Sequence, residues 1–312
     1  MIASSPSTPT KSALVTGAHG FIGRHIALQM AAEGYHVTGL GHGDWVGDSP
    51  SAWGIADWHN ADVDGDTLVE HGGVPDLIAH CAGSGSVPYS LERPREDFRR
   101  TVDATLAVLD FVRMHVPDAR LVLPSSAAVY GLVEELPIQV DAPRRPLSPY
   151  GVHKKMAEDL CRSYATHFGV RIAIVRLFSI YGPGLRKQLL WDACSKIMNG
   201  SASFGGDGTE TRDWLHVEDA SRLLSAAAAV ASTDCPIFNG GVGEAVSVRA
   251  VVDRLVDRLG GTPAIFTGHI RLGDPRHFVA DVSSTLSLDW RSEHALEDGL
   301  DAYADWFRRQ AA

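Results

Sequence analysis

The chain has 312 residues, 45% hydrophobic and 21% charged, so it can bury a large core as one domain or two. Its formal net charge of −10 argues against a broad surface for nucleic acid or for an anionic membrane. No apolar run approaches the ~20 residues that cross a bilayer. The four cysteines are scattered without a C-x-x-C pair, which argues against a zinc site and fits a reduced, cytoplasmic location.

Residues 1–11 are polar and rich in Ser, Thr and Pro, and they lack the apolar segment of a signal peptide. We expect them to form a disordered tail. From residue 12 onward, short apolar runs alternate with helical patterns through the first half of the chain. This alternation is typical of an α/β protein with a parallel sheet.

A glycine turn joins the first predicted strand to the first predicted helix, within S-A-L-V-T-G-A-H-G-F-I-G-R at residues 12–24. The glycines have G-x-x-G-x-x-G spacing, and the helix ends at Gly34. Such a turn lets the backbone approach a pyrophosphate, while the helix N-terminus presents N–H groups and a partial positive charge. The sequence therefore predicts a dinucleotide site that comprises Gly17, Gly20, Phe21, Ile22, Gly23 and Arg24.

The second predicted strand, Y-H-V-T-G-L-G-H, ends where dinucleotide-binding folds usually carry an acidic residue for the adenosine ribose. A carboxylate there would bond the 2′-hydroxyl and repel a 2′-phosphate, but this strand ends in Gly41-His42-Gly43. The missing acid, with Arg24 and His42 nearby, favours NADP over NAD. Alternatively, Asp44 or a backbone group holds the ribose, and the cofactor is NAD.

The segment from Trp45 to Asn60 is predicted to be an irregular connection, with three tryptophans. Beyond it, Asp62 is a candidate to meet the adenine amino group, with Val63 beside it. Asp64 can equally serve as the N-cap of the helix that follows.

The stretch P-D-L-I-A-H-C-A-G predicts a buried strand over residues 76–80, followed by small side chains. The nicotinamide ribose could pass close to the backbone of these small residues, Cys81, Ala82 and Gly83. In the next loop, Ser84 and Ser86 are candidates to contact a sugar, although serines in loops are mostly turn formers.

A second informative stretch is A-R-L-V-L-P-S-S-A-A-V-Y-G, in which a buried strand runs into Ser125 and Ser126. The C-terminal ends of strands in open α/β sheets face the ligand crevice. Twenty residues after Tyr130, Tyr150 and Lys154 form a Tyr-x-x-x-Lys pair at the start of a predicted helix. The i, i+4 spacing places both side chains on one face of that helix.

This pair has a chemical purpose, because a lysine ammonium beside a phenol stabilises the phenolate. The Tyr150 phenol could then exchange a proton with an alcohol or a carbonyl while hydride moves to or from a nicotinamide. The Ser126 hydroxyl would hold the same substrate oxygen. The order of glycine turn, serine strand and tyrosine helix makes the pair informative.

Over residues 12–308 the chain resembles the extended short-chain dehydrogenase/reductases, in their branch of nucleotide-sugar epimerases, dehydratases and reductases. The segments that carry this resemblance are T-G-A-H-G-F-I-G, P-S-S-A-A-V-Y-G, S-P-Y-G-V-H-K, R-L-F-S-I-Y-G-P-G, F-G-G-D-G-T-E-T-R-D-W-L-H-V-E-D-A and R-L-G-D-P-R-H-F-V-A-D.

The resemblance implies that Ser126, Tyr150 and Lys154 form a catalytic triad. It also implies that Phe178 and Ser179 lie over the nicotinamide and the sugar diphosphate. Further, it implies that Arg212 and Arg271 contact the diphosphate. A guanidinium matches phosphate oxygens in a bidentate manner, which supports these two arginines independently. The alternative for each arginine is a local ion pair, with Asp213 and with Asp274.

Three departures from the family pattern refine these expectations. Ala127 and Ala128 stand where the related dehydratases carry the two acidic residues that drive water elimination, which argues against a 4,6-dehydratase. Ser179 stands where the family usually has asparagine, which weakens or shifts the expected diphosphate contact. Thr101 replaces another frequent asparagine, and the sequence offers no account of that change.

The function expected from the sequence is oxidation and reduction at C4 of a nucleotide-diphosphate sugar, in carbohydrate biosynthesis. A 4-ketoreductase, using NADPH from solution, is placed before a 4-epimerase that retains NAD, because the second strand lacks its acid. A non-catalytic dinucleotide-binding regulatory protein is the third possibility. No nucleic-acid or membrane partner and no metal are expected.

The fold expected is a Rossmann-type, doubly wound parallel sheet with a smaller mixed α/β C-terminal lobe for substrate. Residues 12–179, with a strand near 234–241, would bind the cofactor, and residues 180–312 would mainly bind the nucleotide-sugar. Helices predicted over 98–116 and 147–168 carry apolar stripes. In the resembling family such helices pair across a dimer, so we expect a homodimer.

Overall fold

The computed structural model describes residues 11–46, 48–269 and 276–311. Within them the strands are, in chain order, β1 (Ser12–Thr16), β2 (His36–Gly41), β3 (Ile55–Asn60), β4 (Leu77–His80), β5 (Arg120–Ser126), β6 (Arg171–Leu177), β7 (Ser179–Tyr181), β8 (Ser203–Phe204), β9 (Thr211–Arg212), β10 (Trp214–His216), β11 (Ile237–Gly240), β12 (Val246–Ser247), β13 (Ile265–Phe266) and β14 (His277–Phe278). The helices are α1 (Phe21–Ala32), α2 (Gly65–His71), α3 (Val87–Glu92), α4 (Pro94–Phe98), α5 (Ala104–His115), α6 (Pro149–Phe168), α7 (Gln188–Met198), α8 (Val217–Ala229), α9 (Val248–Leu259), α10 (Ser283–Leu286) and α11 (Leu296–Ala311).

Seven strands form one sheet in the order β11-β6-β5-β4-β1-β2-β3, with helices connecting them. The pairs β1–β2, β2–β3, β1–β4 and β4–β5 are parallel. The chain runs outward from β1 to β3 and returns to the other side of β1 as β4. The strand order therefore reverses between β1 and β4, where open α/β sheets bind ligands. This confirms the predicted Rossmann-type fold.

The prediction of an irregular connection between Trp45 and Asn60 is partly wrong. Residues 50–53 form a 3₁₀ turn, and β3 occupies Ile55–Asn60 at the edge of the sheet. Of the six β3 residues only Ile55 is fully buried, so the strand lacks the apolar run of a central strand. Its edge position explains why the pattern was not recognised.

The helix boundaries follow local signals in most cases. Asp64 is the N-cap of α2, where its side chain accepts from the Thr67 amide at 3.0 Å. The helix expected over 98–116 is instead α4 and α5 joined by a π turn at Arg99–Asp103. None of the helices in the described ranges is both long and apolar enough to traverse a bilayer.

The chain divides into two compact units. The first comprises the described residues up to 124 with 156–174 and 227–236, and it contains β1–β4 and α1–α5. The second comprises 125–155, 175–226 and the described residues from 237 onward. Three small sheets lie in the second unit: β7 with β10, β9 between β12 and β14, and β8 with β13. The assignment of residues 12–179 to cofactor and 180–312 to substrate stays a prediction.

Candidate active site

The glycine turn of the first unit is closely packed on the loop after β4. Gly17 has φ +66°, and a Cβ atom built on it would lie 2.6 Å from the Ala82 nitrogen. A Cβ on Gly23 would lie 2.9 Å from the Ala18 Cα, so neither position has room for a side chain. Gly20 is the N-cap of α1, and no side chain caps its N–H groups. These features fit a pyrophosphate.

Residues predicted near the adenosine also meet in the first unit. The His42 Nε2 lies 2.6 Å from the Asp62 Oδ1, and both side chains are exposed. The Arg24 Nη2 donates to the His19 carbonyl at 2.6 Å. The sequence did not reveal that His42 and Asp62 pair, and the predicted cofactor contacts of these residues stay a prediction.

Two tryptophans that the sequence analysis left without a role contact the same region. The Arg24 guanidinium lies 5.6 Å from the Trp45 ring and 5.1 Å from the Trp53 ring. The His19 ring meets Trp45 edge to face, with centroids 4.7 Å apart. The segment after β2 thus packs on the glycine turn. The three tryptophans of this segment were the feature of the sequence from which this packing could have been predicted.

In the second unit, the start of α6 packs on the turn that follows Ser126. The Ser126 Oγ accepts from the Ala128 amide at 3.2 Å. A Cβ on Gly151 would lie 2.6 Å from the Ala128 carbonyl oxygen, so these backbones are in direct contact. Ser148 caps the helix by accepting from the Gly151 amide at 3.2 Å. Tyr150 therefore lies next to the turn that bears Ser126.

Tyr150 and Lys154 lie one turn apart on α6, as their spacing predicts. Tyr150 is half-buried, and Lys154 is 8% exposed. A buried ammonium favours nearby negative charge, which a phenolate supplies. The arrangement can move a proton to or from an alcohol, and the catalytic roles of the three residues stay a prediction.

The two residues after Ser126 bear no proton donor. Ala127 is 2% exposed and Ala128 is half-buried, so the turn offers only methyl groups. Neither alanine can protonate a departing hydroxyl, because neither carries a carboxylic acid. This turn therefore gives no support for a dehydratase.

The second unit also contains a cavity of about 840 Å³. Ser179 and Arg212 line it, together with Phe204, Trp214 and Arg276. The Arg212 Nη1 donates to the Thr211 carbonyl at 2.8 Å, which fixes the guanidinium at the wall. Arg276 was missed, although it stands in the same predicted motif as Arg271. Arg271 lies outside the described residues.

Asp213, the alternative partner considered for Arg212, is fully buried and accepts hydrogen bonds from backbone amides. Its carboxylate accepts N–H groups from Val242 at 2.6 Å, Gly243 at 2.9 Å and Ala280 at 3.1 Å. Burial nevertheless raises the pKa of Asp213 above its usual range.

Three further predicted residues, Ser86, Phe178 and Ser125, have structural surroundings that the sequence did not indicate. Ser86 is the N-cap of α3, accepting from the Tyr89 amide at 3.3 Å. Phe178 packs on Phe278, with ring centroids 5.4 Å apart. Ser125 is 4% exposed at the end of β5. Ligand contacts of these residues stay predictions.

A model of the NAD dependent epimerase/dehydratase family matches residues 13–240, which include the glycine turn and Ser126, Tyr150 and Lys154. The chain belongs to this family. The family assignment confirms the resemblance drawn from the sequence motifs.

Several relatives in the family align over nearly the whole chain. A UDP-glucose 4-epimerase of Azospirillum brasilense is 30% identical, over 92% of this chain and 89% of the relative. Another, of Corynebacterium glutamicum, is 28% identical, over 90% and 91%. The structure of MoeE5 in complex with UDP-glucose and NAD is 31% identical, with a TM-score of 0.86 over 96% of this chain and all of that chain. MoeE5 is also known in complex with UDP-glucuronic acid and NAD.

Proposed function

We propose that this protein is an NAD-dependent nucleotide-sugar 4-epimerase, acting on a UDP-hexose or a UDP-hexuronic acid. The observation that carries the proposal is the contact of the α6 start, which bears Tyr150, with the turn after Ser126. A phenol, an ammonium and a hydroxyl in one place suit the reversible oxidation of an alcohol. The two UDP-glucose 4-epimerases named above favour epimerisation over the 4-keto reduction that the sequence placed first.

NAD is the proposed cofactor because of the groups that Arg24 and His42 contact. Arg24 donates to the His19 carbonyl and lies over two tryptophans. His42 pairs with Asp62, so a carboxylate stands where the strand itself lacks one. A carboxylate there disfavours a 2′-phosphate. NAD in the MoeE5 complexes supports the same choice.

Each side chain has one task in this proposal. Bound nicotinamide supplies the hydride acceptor and donor. Tyr150 takes the proton of the C4 hydroxyl and later returns it, Lys154 stabilises the phenolate, and Ser126 bonds the same oxygen. The cavity of the second unit receives the nucleotide diphosphate, with Arg212 and Arg276 as its cations.

Turnover without added cofactor tests the proposal directly. Purified protein should convert UDP-glucose and UDP-galactose, or the two C4 epimers of UDP-glucuronic acid, to one mixture from either side. Cofactor released on denaturation should be NAD. Protein purified empty that instead consumes NADPH with a 4-keto sugar nucleotide would establish the reductase, which the acid-free end of β2 favours. Bound NAD without turnover on UDP-, GDP-, CDP- and dTDP-sugars would indicate the regulatory alternative.

Replacement of Tyr150 by Phe tests the assigned acid/base. Turnover should fall about 10²- to 10⁴-fold because the proton acceptor is lost, while NAD is retained. Tyr164→Phe is the matched control on the same helix, because its hydroxyl bonds Asp110. Unchanged turnover in Tyr150→Phe would show that the acid/base is another residue.

A further inference from the structure

A chain of hydrogen bonds among four buried residues lies under the loop that follows β4. Its members are Thr16, His80, Thr101 and Thr105, which are 0%, 1%, 2% and 1% exposed. Thr16 and His80 are paired neighbours at the ends of β1 and β4. Thr101 lies in the π turn between α4 and α5, a distortion that is frequent at functional sites. All four belong to the first unit.

The bonds allow only one arrangement of protons in the chain. The Thr105 hydroxyl donates to the Thr101 carbonyl at 2.6 Å, so its oxygen must accept from the His80 Nε2 at 3.1 Å. His80 therefore carries its proton on Nε2 when neutral, and its Nδ1 accepts from the Thr16 hydroxyl at 2.7 Å. A second proton on His80 would leave the Thr16 hydroxyl without this acceptor.

The same chain holds both ends of the short loop over residues 82–84. The Ala82 amide donates to the Thr16 Oγ1 at 3.3 Å, and the Ser84 amide donates to the Thr101 Oγ1 at 3.3 Å. Because a Cβ on Gly17 would meet the Ala82 nitrogen at 2.6 Å, the loop has little freedom to move toward the glycine turn. The polar chain fixes the loop from the other side.

We propose that Thr101 and His80 are positioning residues that set the loop over residues 82–84 against the glycine turn, for binding of the dinucleotide. The inference rests on the proposed NAD-dependent function. It gives Thr101 a role that the sequence did not suggest, since its hydroxyl oxygen accepts from the Ser84 amide. Neither residue needs to contact the substrate, and their effect reaches the ligand through the backbone of the loop.

Titration of NAD against Thr101 variants tests the proposal. Thr101→Val keeps the shape but removes the acceptor, and the dissociation constant of NAD should rise about 5- to 10-fold, because NAD must then order a loop that this hydrogen bond no longer holds. Thr101→Ser keeps the acceptor and should bind within about 2-fold of the original protein. Thr285→Val is the matched control, a buried threonine of the second unit whose hydroxyl donates to the Asn239 carbonyl.

Two measurements that do not depend on enzyme activity test the positioning role separately from the proposed epimerase function. Amide hydrogen exchange at Ala82 and Ser84 should accelerate in Thr101→Val and stay slow in Thr101→Ser. Nitrogen NMR of His80 should show the proton on Nε2 and an unprotonated Nδ1. Unchanged exchange and NAD affinity in Thr101→Val, or a His80 protonated on Nδ1, would overturn the positioning role. Changes as expected in a protein with no epimerase activity would retain it and reject only the epimerase.

Discussion

Tyr130 lies fully buried in the second unit, beneath the guanidinium of Arg176 at 4.8 Å from the ring centroid. Its hydroxyl accepts from the Arg176 Nη1 at 2.9 Å and donates to the Asn239 Oδ1 at 2.6 Å. Asn239 donates onward to the carbonyls of Ile138 at 2.8 Å and Asp281 at 3.1 Å. One phenol thus holds a buried cation and an amide that joins two loops.

Tyr130→Phe should lower the free energy of unfolding by about 1–3 kcal/mol, because it leaves Asn239 and Arg176 each with one fewer partner. Urea denaturation followed by circular dichroism measures the change. Tyr35→Phe serves as control, because Tyr35 is only half-buried. A change below about 0.5 kcal/mol for Tyr130→Phe would mean that the network adds little to stability.

At the same scale, the proposed choice of NAD over NADP depends on the pair of His42 and Asp62. Asp62→Asn removes the carboxylate beside the end of β2 and should reduce the preference for NAD over NADP about 10-fold, since its repulsion of the 2′-phosphate is lost. Dissociation constants of the two dinucleotides measure the ratio. Asp57→Asn, on β3 and paired with His36, is the control. An unchanged ratio would place the selection elsewhere.

At the scale of elements, two histidines connect distant parts of the second unit. His216 ends β10, and His294 lies in the segment before α11. The His216 and His294 rings stack at 4.1 Å between centroids and 22° between planes. The His294 Nε2 lies 3.2 Å from the Glu218 Oε2, so three side chains able to bind a metal, those of His216, Glu218 and His294, lie close together. Lone pairs lie in the ring planes, and near-parallel planes do not direct them at one ion. The stack is therefore better explained as part of an ion-pair network.

Asp219 is the centre of that network. It is fully buried and accepts from the side chains of Arg222, Ser292 and His294 and from the amides of Glu293 and His294. Burial alone would raise the pKa of Asp219, but the bonds from His294 and Arg222 outweigh it and lower the pKa.

Asp219→Asn should cost about 1.5–3 kcal/mol of stability at pH 6, because an amide nitrogen then faces hydrogen-bond donors. A lowered pKa in the folded state means that the ionised carboxylate stabilises the fold above its unfolded pKa of about 3.9. The difference between the two proteins should therefore shrink as the pH falls from about 5 through the lowered pKa. Denaturation at pH 6, 5, 4 and 3 measures it, and a constant difference would contradict the charge-based explanation.

At the scale of the molecule, α5 and α6 carry exposed apolar side chains that could meet a second copy. Leu106 is 38% exposed and Met156 is 42% exposed. The two helices are joined by the bond from Tyr164 to Asp110 at 2.8 Å. The homodimer expected from the sequence stays a prediction, and these exposed side chains are where we would test it.

Leu106→Glu with Met156→Glu should convert the dimer to a monomer, because charge would be buried at the interface. Light scattering after size exclusion gives the mass. Leu28→Glu, an exposed leucine on α1, should leave the dimer intact. A monomeric mass for the original protein would reject the dimer.

The local features of the fold were predictable because neighbouring residues determine them. The apolar run before Gly17, the glycine spacing and the N-cap at Asp64 each act over a few residues. Likewise, the spacing of Tyr150 and Lys154 places them on one face of a helix in any context. The edge strand β3 escaped recognition because only Ile55 is buried there.

The sequence by itself determined the class of fold, the glycine turn and the tyrosine–lysine pair, since each follows from short-range sterics and periodicity. The tertiary structure alone decided which polar groups meet. Thr16 and His80 are 64 residues apart, and His42 and Asp62 are 20 apart. Such pairs form because adjacent parallel strands end side by side, and a crossover separates those ends in the sequence.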